Sequence, residues 1–134
     1  MDLEKLKDQL IAHEALRLKP YRCTEGVLTI GVGRSLDTKG ISKEEAFYLL
    51  DNDITECVTD LSSLFYEFNN FPESIQHVLI DMRFNLGSTG FRKFKKMIKA
   101  VKARDIPEMI AQMKDSGWYG QVKSRADNLI RMVT

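Results

Sequence analysis

The chain has 134 residues with 43% apolar and 29% charged side chains, 8 Gly and 3 Pro, enough for one packed core and too ordinary for a disordered, collagen-like or low-complexity protein. No run reaches the roughly 18 apolar residues of a membrane span, and Met1–Leu10 carries Asp2, Glu4, Lys5, Lys7 and Asp8, which excludes a signal-peptide reading of that segment. Net charge is +1, but acidic residues dominate 40–90 and basic residues dominate 91–134, and the two cysteines, Cys23 and Cys57, form no C-x-x-C pattern and read as free thiols of a reducing compartment.

The first predicted helix opens behind Asp2, a good N-cap, and places Leu3, Leu6, Leu10 and Ile11 on one stripe at helical spacing. Glu14 falls in the middle of that stripe. Desolvation on an apolar face disfavours a carboxylate, so an acid there needs either a buried partner or a use for its proton.

From Tyr21 the period changes to two. Thr24, Glu25 and Gly26 form a turn tip, and Tyr21–Cys23 and Val27–Val32 read as a short hairpin. Leu28, Ile30 and Val32 share one face of the second strand; Thr29, Gly31 and Gly33 share the other, which is nearly bare except for one hydroxyl. Glycines in a strand weaken it, and close approach of a ligand or another backbone, or equally the tight packing of a helix on that face, is a reason to keep them.

The chain beyond Gly40 is helical in pattern. Ser42-Lys43-Glu44-Glu45 is a capping box, followed by Ala46, Leu50, Ile54, Cys57, Val58 and Leu61 on one face. Pro72 opens a helix carrying Ile75, Val78, Leu79 and Met82 that ends near Leu86-Gly87. A basic helix is predicted from Phe91 to about Lys102, another from Pro107 to about Lys114, and a last from Tyr119 to Val133. The predicted fold class is α+β. A helix-and-hairpin lobe (1–41) is joined by a connecting helix (42–61) to a helical lobe (62–134), all within one domain with a crevice between the lobes.

Glu14, Cys23 and Thr29 are separated by eight and five residues. Together with the run Thr29-Ile30-Gly31-Val32-Gly33, this segment resembles the active-site segment of T4-type phage lysozymes (glycoside hydrolase family 24), in which Glu, Asp or Cys, and Thr keep the same spacing. Phe84-Asn85-Leu86-Gly87 and Trp118-Tyr119-Gly120-Gln121 with Arg125-Ala126 resemble two further motifs of that family, in the same order. The sequence resembles the subgroup with Cys in place of the catalytic Asp.

The resemblance implies a two-lobed lysozyme fold and hydrolysis of the β-1,4 bond between N-acetylmuramic acid and N-acetylglucosamine, with no metal or cofactor. It implies Glu14 as general acid, since a glycosidic oxygen leaves only when protonated. Thr29 is implied to hold the attacking water. At Cys23 a thiol, with a reference pKa of about 8.5, replaces a carboxylate, and three roles stay open: water activation, direct nucleophilic attack, or tolerance by a site that Glu14 and Thr29 run. Arg125 is implied as the ion-pair partner of Glu14, and Arg34 and Asp53 as an interlobe pair. Glu25, Gly33, Asn85 and Gln121 are carried over as saccharide or peptide contacts.

By the same resemblance the partner is bacterial peptidoglycan, met by a monomeric lysis enzyme (endolysin) that stays in the host cytoplasm until a holin pore releases it to the wall in the periplasm. Stable membrane insertion and nucleic-acid binding are not expected. The basic stretch from Arg92 to Arg104 reads as a solvated face that meets anionic polymers, because Phe91 and Phe94 at i, i+3 read as core rather than as base-stacking groups. A non-catalytic peptidoglycan-binding protein on a degenerate lysozyme fold is the alternative, motivated by the missing carboxylate.

Overall fold

The computed structural model describes all 134 residues as seven helices and a small antiparallel sheet. The α+β class predicted from the sequence is therefore observed. The chain groups into two compact units, Met1–Leu49 and Leu50–Thr134.

In the first unit, α1 (Leu3–Glu14) starts where expected: the Asp2 side chain accepts from the Lys5 backbone N–H at 3.1 Å. It ends at Ala15, a non-glycine residue at φ +68°. None of its residues is buried, so the stripe of Leu3, Leu6, Leu10 and Ile11 remains at least one-third exposed.

Strands β1 (Arg17–Arg22), β2 (Leu28–Gly31) and β3 (Arg34–Ser35) form a sheet in that order, antiparallel throughout. The expected hairpin is present with Tyr21 opposite Thr29 and Arg22 opposite Leu28. The second strand stops at Gly31, short of the predicted Val32, because the backbone turns into β3. Ile30 pairs with Arg34, so the connection is Gly31-Val32-Gly33, with Gly31 at φ +70° and Gly33 at φ +66°. An L side chain resists that left-handed conformation, and glycine at both positions makes the turn possible.

Helix α2 (Lys43–Leu64) opens on the capping box read from the sequence. The Ser42 backbone N–H donates to Glu45 Oε1 at 2.9 Å and the Glu45 N–H donates to Ser42 Oγ at 3.1 Å. The boundary between the two units falls inside this helix, after Leu49. Of its predicted apolar face, Cys57 and Leu61 are buried, whereas Leu50 and Ile54 stay exposed.

The second unit holds the core. A 3-10 turn at Phe68–Asn70 leads to α3 (Glu73–Arg92), α4 (Lys95–Lys102), α5 (Ile106–Lys114), α6 (Gly117–Gln121) and α7 (Lys123–Met132). Leu61, Phe65, Val78, Leu79, Met82, Phe91, Met97, Val101, Met109 and Met113 are all essentially inaccessible. Burial of each large side chain contributes about 1.5–3 kcal/mol relative to exposure. Phe65 meets Phe71 and Phe91 edge-on at 5.7 and 6.5 Å between ring centroids, the arrangement the ring quadrupole favours.

Predicted helix boundaries moved as well. The helix expected to stop at Gly87 kinks there instead (φ 76°, ψ 170°) and resumes to Arg92, which takes Phe91 into the core from α3 rather than from the basic helix. The single last helix expected from Tyr119 is two, broken at Val122 (φ −126°, ψ 41°). No helix is long and apolar enough to cross a membrane.

Candidate active site

Cys23 directly follows β1 and Thr29 lies in β2, so the hairpin brings both to the same end of the sheet. The Cys23 backbone N–H donates to the Val27 carbonyl at 3.0 Å, and the Gly26 N–H returns to the Cys23 carbonyl at 2.8 Å, so the turn is closed directly beside the thiol. Hydrogen bonding from the backbone of Glu25 and Val27, and to a smaller extent from the Thr29 hydroxyl, favours the charged form of the thiol. These donors pull its pKa below the ordinary thiol value, against a smaller opposing push from desolvation. A thiolate is thus more accessible at Cys23 than on a free cysteine.

Thr29 is the only buried residue of the first unit. Its hydroxyl donates to the Val27 carbonyl at 2.8 Å. A hydroxyl has one proton and two lone pairs, so while it donates to Val27 it can accept from a water, and a turn of the O–H toward sulfur favours the thiolate.

Glu14 differs from expectation in its surroundings. It is exposed at the last turn of α1, not half-buried, because α1 buries none of its stripe. The carboxylate lies against Gly33, and the two share a groove of about 420 Å³ with Lys7, Leu10, Ile11 and Val32. The apolar stripe thus supplies one wall of a groove beside the acid instead of a core around it.

Arg34 and Arg125 each pair with a carboxylate of their own unit. Arg34 Nη1 donates to Glu45 Oε1 at 2.9 Å and to the Gly40 carbonyl at 3.1 Å. The capping box fixes Glu45 at the start of α2, within reach of β3. Asp53 is exposed on α2. Arg125, expected beside Glu14, donates through Nε to Asp81 Oδ1 at 2.6 Å and through Nη2 to the Asp81 carbonyl at 3.4 Å.

Of the carried-over contact residues, Glu25 is exposed at the hairpin tip and contributes its backbone N–H to the thiol. Asn85 accepts from the Trp118 indole N–H at 2.9 Å, leaving its amide N–H groups free. Gln121 is exposed at the end of α6, on a groove of about 650 Å³ that also takes in Trp118, Phe94, Gln112 and Lys96.

Sequence reasoning missed Glu45, Asp81 and the groove wall. Glu45 had already been placed by the capping box, and an arginine two residues into a glycine-flanked turn was the signal that could have linked the two. Asp81 carried no local signal.

The chain belongs to the phage lysozyme family, whose model matches residues 11–131. It is 28% identical to "Probable T4-type lysozyme 2" of Dictyostelium discoideum, over 96% of this chain and 92% of that protein. It is also 28% identical to "Pre-baseplate central spike protein Gp5" of Enterobacteria phage T4, over 96% of this chain but 27% of that longer protein. A second Dictyostelium discoideum protein, "Probable T4-type lysozyme 1", is 23% identical over 98% and 94% of the two chains. Family membership, resembled in the motifs and now established over nearly the whole chain, assigns the protein to the lysozyme-type glycoside hydrolases, whose substrate class is peptidoglycan.

Proposed function

We propose that this protein is a muramidase that cleaves the β-1,4 bond between N-acetylmuramic acid and N-acetylglucosamine, with Glu14 as general acid and Cys23 and Thr29 managing the water. The observation that carries the reading is that Cys23 and Thr29 share one turn, the Val27 carbonyl accepting both the Cys23 backbone N–H at 3.0 Å and the buried Thr29 hydroxyl at 2.8 Å, where the family places a catalytic Asp or Cys and its Thr.

In this scheme the Glu14 carboxyl gives its proton to the glycosidic oxygen as the bond to the anomeric carbon breaks. Water held by a Thr29 lone pair bonds to that carbon, and the proton it loses passes to the Cys23 thiolate. Glu14 and Cys23 then exchange protons with solvent, which resets both. Water activation is favoured here over direct attack by sulfur because Thr29 is buried beside the thiol with a hydroxyl able to orient a water.

Glu25, Gly33, Asn85 and Gln121 are proposed as contacts to saccharide or peptide. As a lysis enzyme the protein would act as a monomer on the wall after release through a holin pore, a role carried over from the family resemblance. The deciding experiment is release of reducing ends from purified peptidoglycan by the wild type and by Glu14→Gln. Release that depends on Glu14 supports the muramidase, and binding to sacculi without release supports the non-catalytic alternative.

A further inference from the structure

We propose that Gly33 is a positioning residue for Glu14: the side chain it lacks is the space in which the Glu14 carboxylate stands. The inference rests on the reading of Glu14 as general acid. A Cβ at Gly33 would lie 2.8 Å from Glu14 Oε2, 3.1 Å from Cδ and 3.3 Å from Cγ, so the carboxylate would have to move.

The backbone on both sides is fixed. Glu14 is the last residue of α1, which stops abruptly at Ala15 in a left-handed φ of +68°, and Gly33 sits in the tight connection that joins the paired residues Ile30 and Arg34. What remains free is the Glu14 side chain, with three rotatable bonds and an exposed tip. The bare wall at Gly33 lets that tip rest against the turn. Leu10, Ile11 and Val32 give the groove apolar walls, and the Lys7 ammonium in it pairs with Glu4 at 3.0 Å.

Because the tip is flexible and exposed, a methyl at Gly33 would be relieved by a change of rotamer. The damage would therefore fall on the position of the acid and little on the stability of the fold. A misplacement of about 1 Å at a reacting group costs on the order of 100-fold in rate.

Gly31 supplies the matched control. It lies in the same connection at φ +70°, and a Cβ there meets nothing within 4 Å. Alanine at either position carries the same left-handed strain. Only alanine at Gly33 meets the acid.

The test compares Gly31→Ala and Gly33→Ala in the wild type and in Glu14→Gln, by thermal melting, by steady-state kinetics on a soluble muramyl oligosaccharide, and by carbon NMR of the Glu14 carboxyl resonance. The two single variants should melt at similar temperatures. Gly33→Ala should lose on the order of 100-fold in kcat, far more than Gly31→Ala. In Glu14→Gln the two alanines should act alike, since the carboxylate they would distinguish is gone. The Glu14 resonance should move in Gly33→Ala and stay in place in Gly31→Ala. Equal kcat losses in the two single variants, or a Glu14 resonance indifferent to Gly33→Ala, would overturn the proposal. If Glu14→Gln instead turns over like the wild type, the acid assignment fails, and the resonance alone decides whether Gly33 positions the carboxylate.

Discussion

The Glu45 carboxylate oxygen that closes the capping box on Ser42 is the same oxygen that receives Arg34, each contact at 2.9 Å. One acid therefore ties the third strand to the start of α2. The Arg34 guanidinium beside it, with the Ser42 N–H and hydroxyl, holds its pKa down to about 2.

A depressed carboxylate contributes stability that is present above its unfolded pKa and is lost as pH falls through the folded value. For Glu45 the window runs from 4.5 down to about 2. Glu45→Gln keeps the capping geometry, since Gln serves at that position, and removes only the charge. Thermal melting from pH 6 to 2 should show a shallower decline for the variant than for the wild type, most clearly at low salt, because the pair is partly exposed and so partly screened. Parallel curves would place the acid sensitivity elsewhere.

Asp60 carries a larger electrostatic load in the second unit. It accepts from Arg83 Nε at 2.6 Å and pairs with Arg92 Nη2 at 2.7 Å, and Arg83 is itself buried. Hydrogen bonds from Arg92 and Arg83 hold Asp60 well below the usual carboxylate range despite its desolvation. Removing one partner of such a network strands a buried charge, so Asp60→Ala should cost about 3–5 kcal/mol. Arg92→Ala should cost less, because Arg92 is partly exposed and Asp60 keeps Arg83. Urea unfolding at neutral pH, read as a shift in midpoint at constant slope, measures both.

The two thiols should separate cleanly by reactivity. Cys23 is part-exposed with its pKa lowered by hydrogen bonds, and Cys57 is buried with its pKa raised by desolvation. Iodoacetamide should label Cys23 in the folded protein and spare Cys57. Thr29→Val should shift the labelling profile of Cys23 to higher pH, since one donor to the thiolate is lost. Alkylation of Cys23 should abolish turnover, Cys23→Ala should impair it, and Cys23→Asp should keep it; full activity with Cys23 fully alkylated would remove the thiol from the mechanism.

Lys95, Lys96 and Lys99 project from α4 into solvent, while Met97, Ile98, Ala100 and Val101 fill its buried face. Exposed charge of this kind acts over about a Debye length, ~8 Å at physiological salt. Reversing the three lysines to Glu should slow lysis of outer-membrane-stripped cells at low salt, with the difference closing near ~0.5 M, where the screening length is shorter. Turnover of a short uncharged muramyl oligosaccharide should barely change. Equal damage to both substrates would assign the lysines to the site or the fold.

The sequence by itself determined what is local. Asp2 and the Ser42–Glu45 box act on backbone groups three residues away, and Pro72 acts through its own fixed φ, so α1, α2 and α3 begin where these residues dictate. The helical periodicity of Val78, Leu79 and Met82, and of Ile98 and Val101, identified their buried faces for the same reason. The spacing of Glu14, Cys23 and Thr29 marked the family, and alternation paired the strands that bring Cys23 to Thr29.

Only the tertiary structure decided the rest. β3 spans two residues, too short to show a period, and is recognisable only as a partner of β2. Helix periodicity located the stripe on α1 but could not say that it would stay exposed and become the wall of a groove. The partners of Arg34 and Arg125 were equally out of reach. Any carboxylate brought near by the fold can satisfy a guanidinium, and Glu45 and Asp81 are 11 and 44 residues away along the chain. Burial and ion pairing depend on which surfaces meet in space, and spacing along the chain constrains that only within a turn of helix or a pair of neighbouring strands.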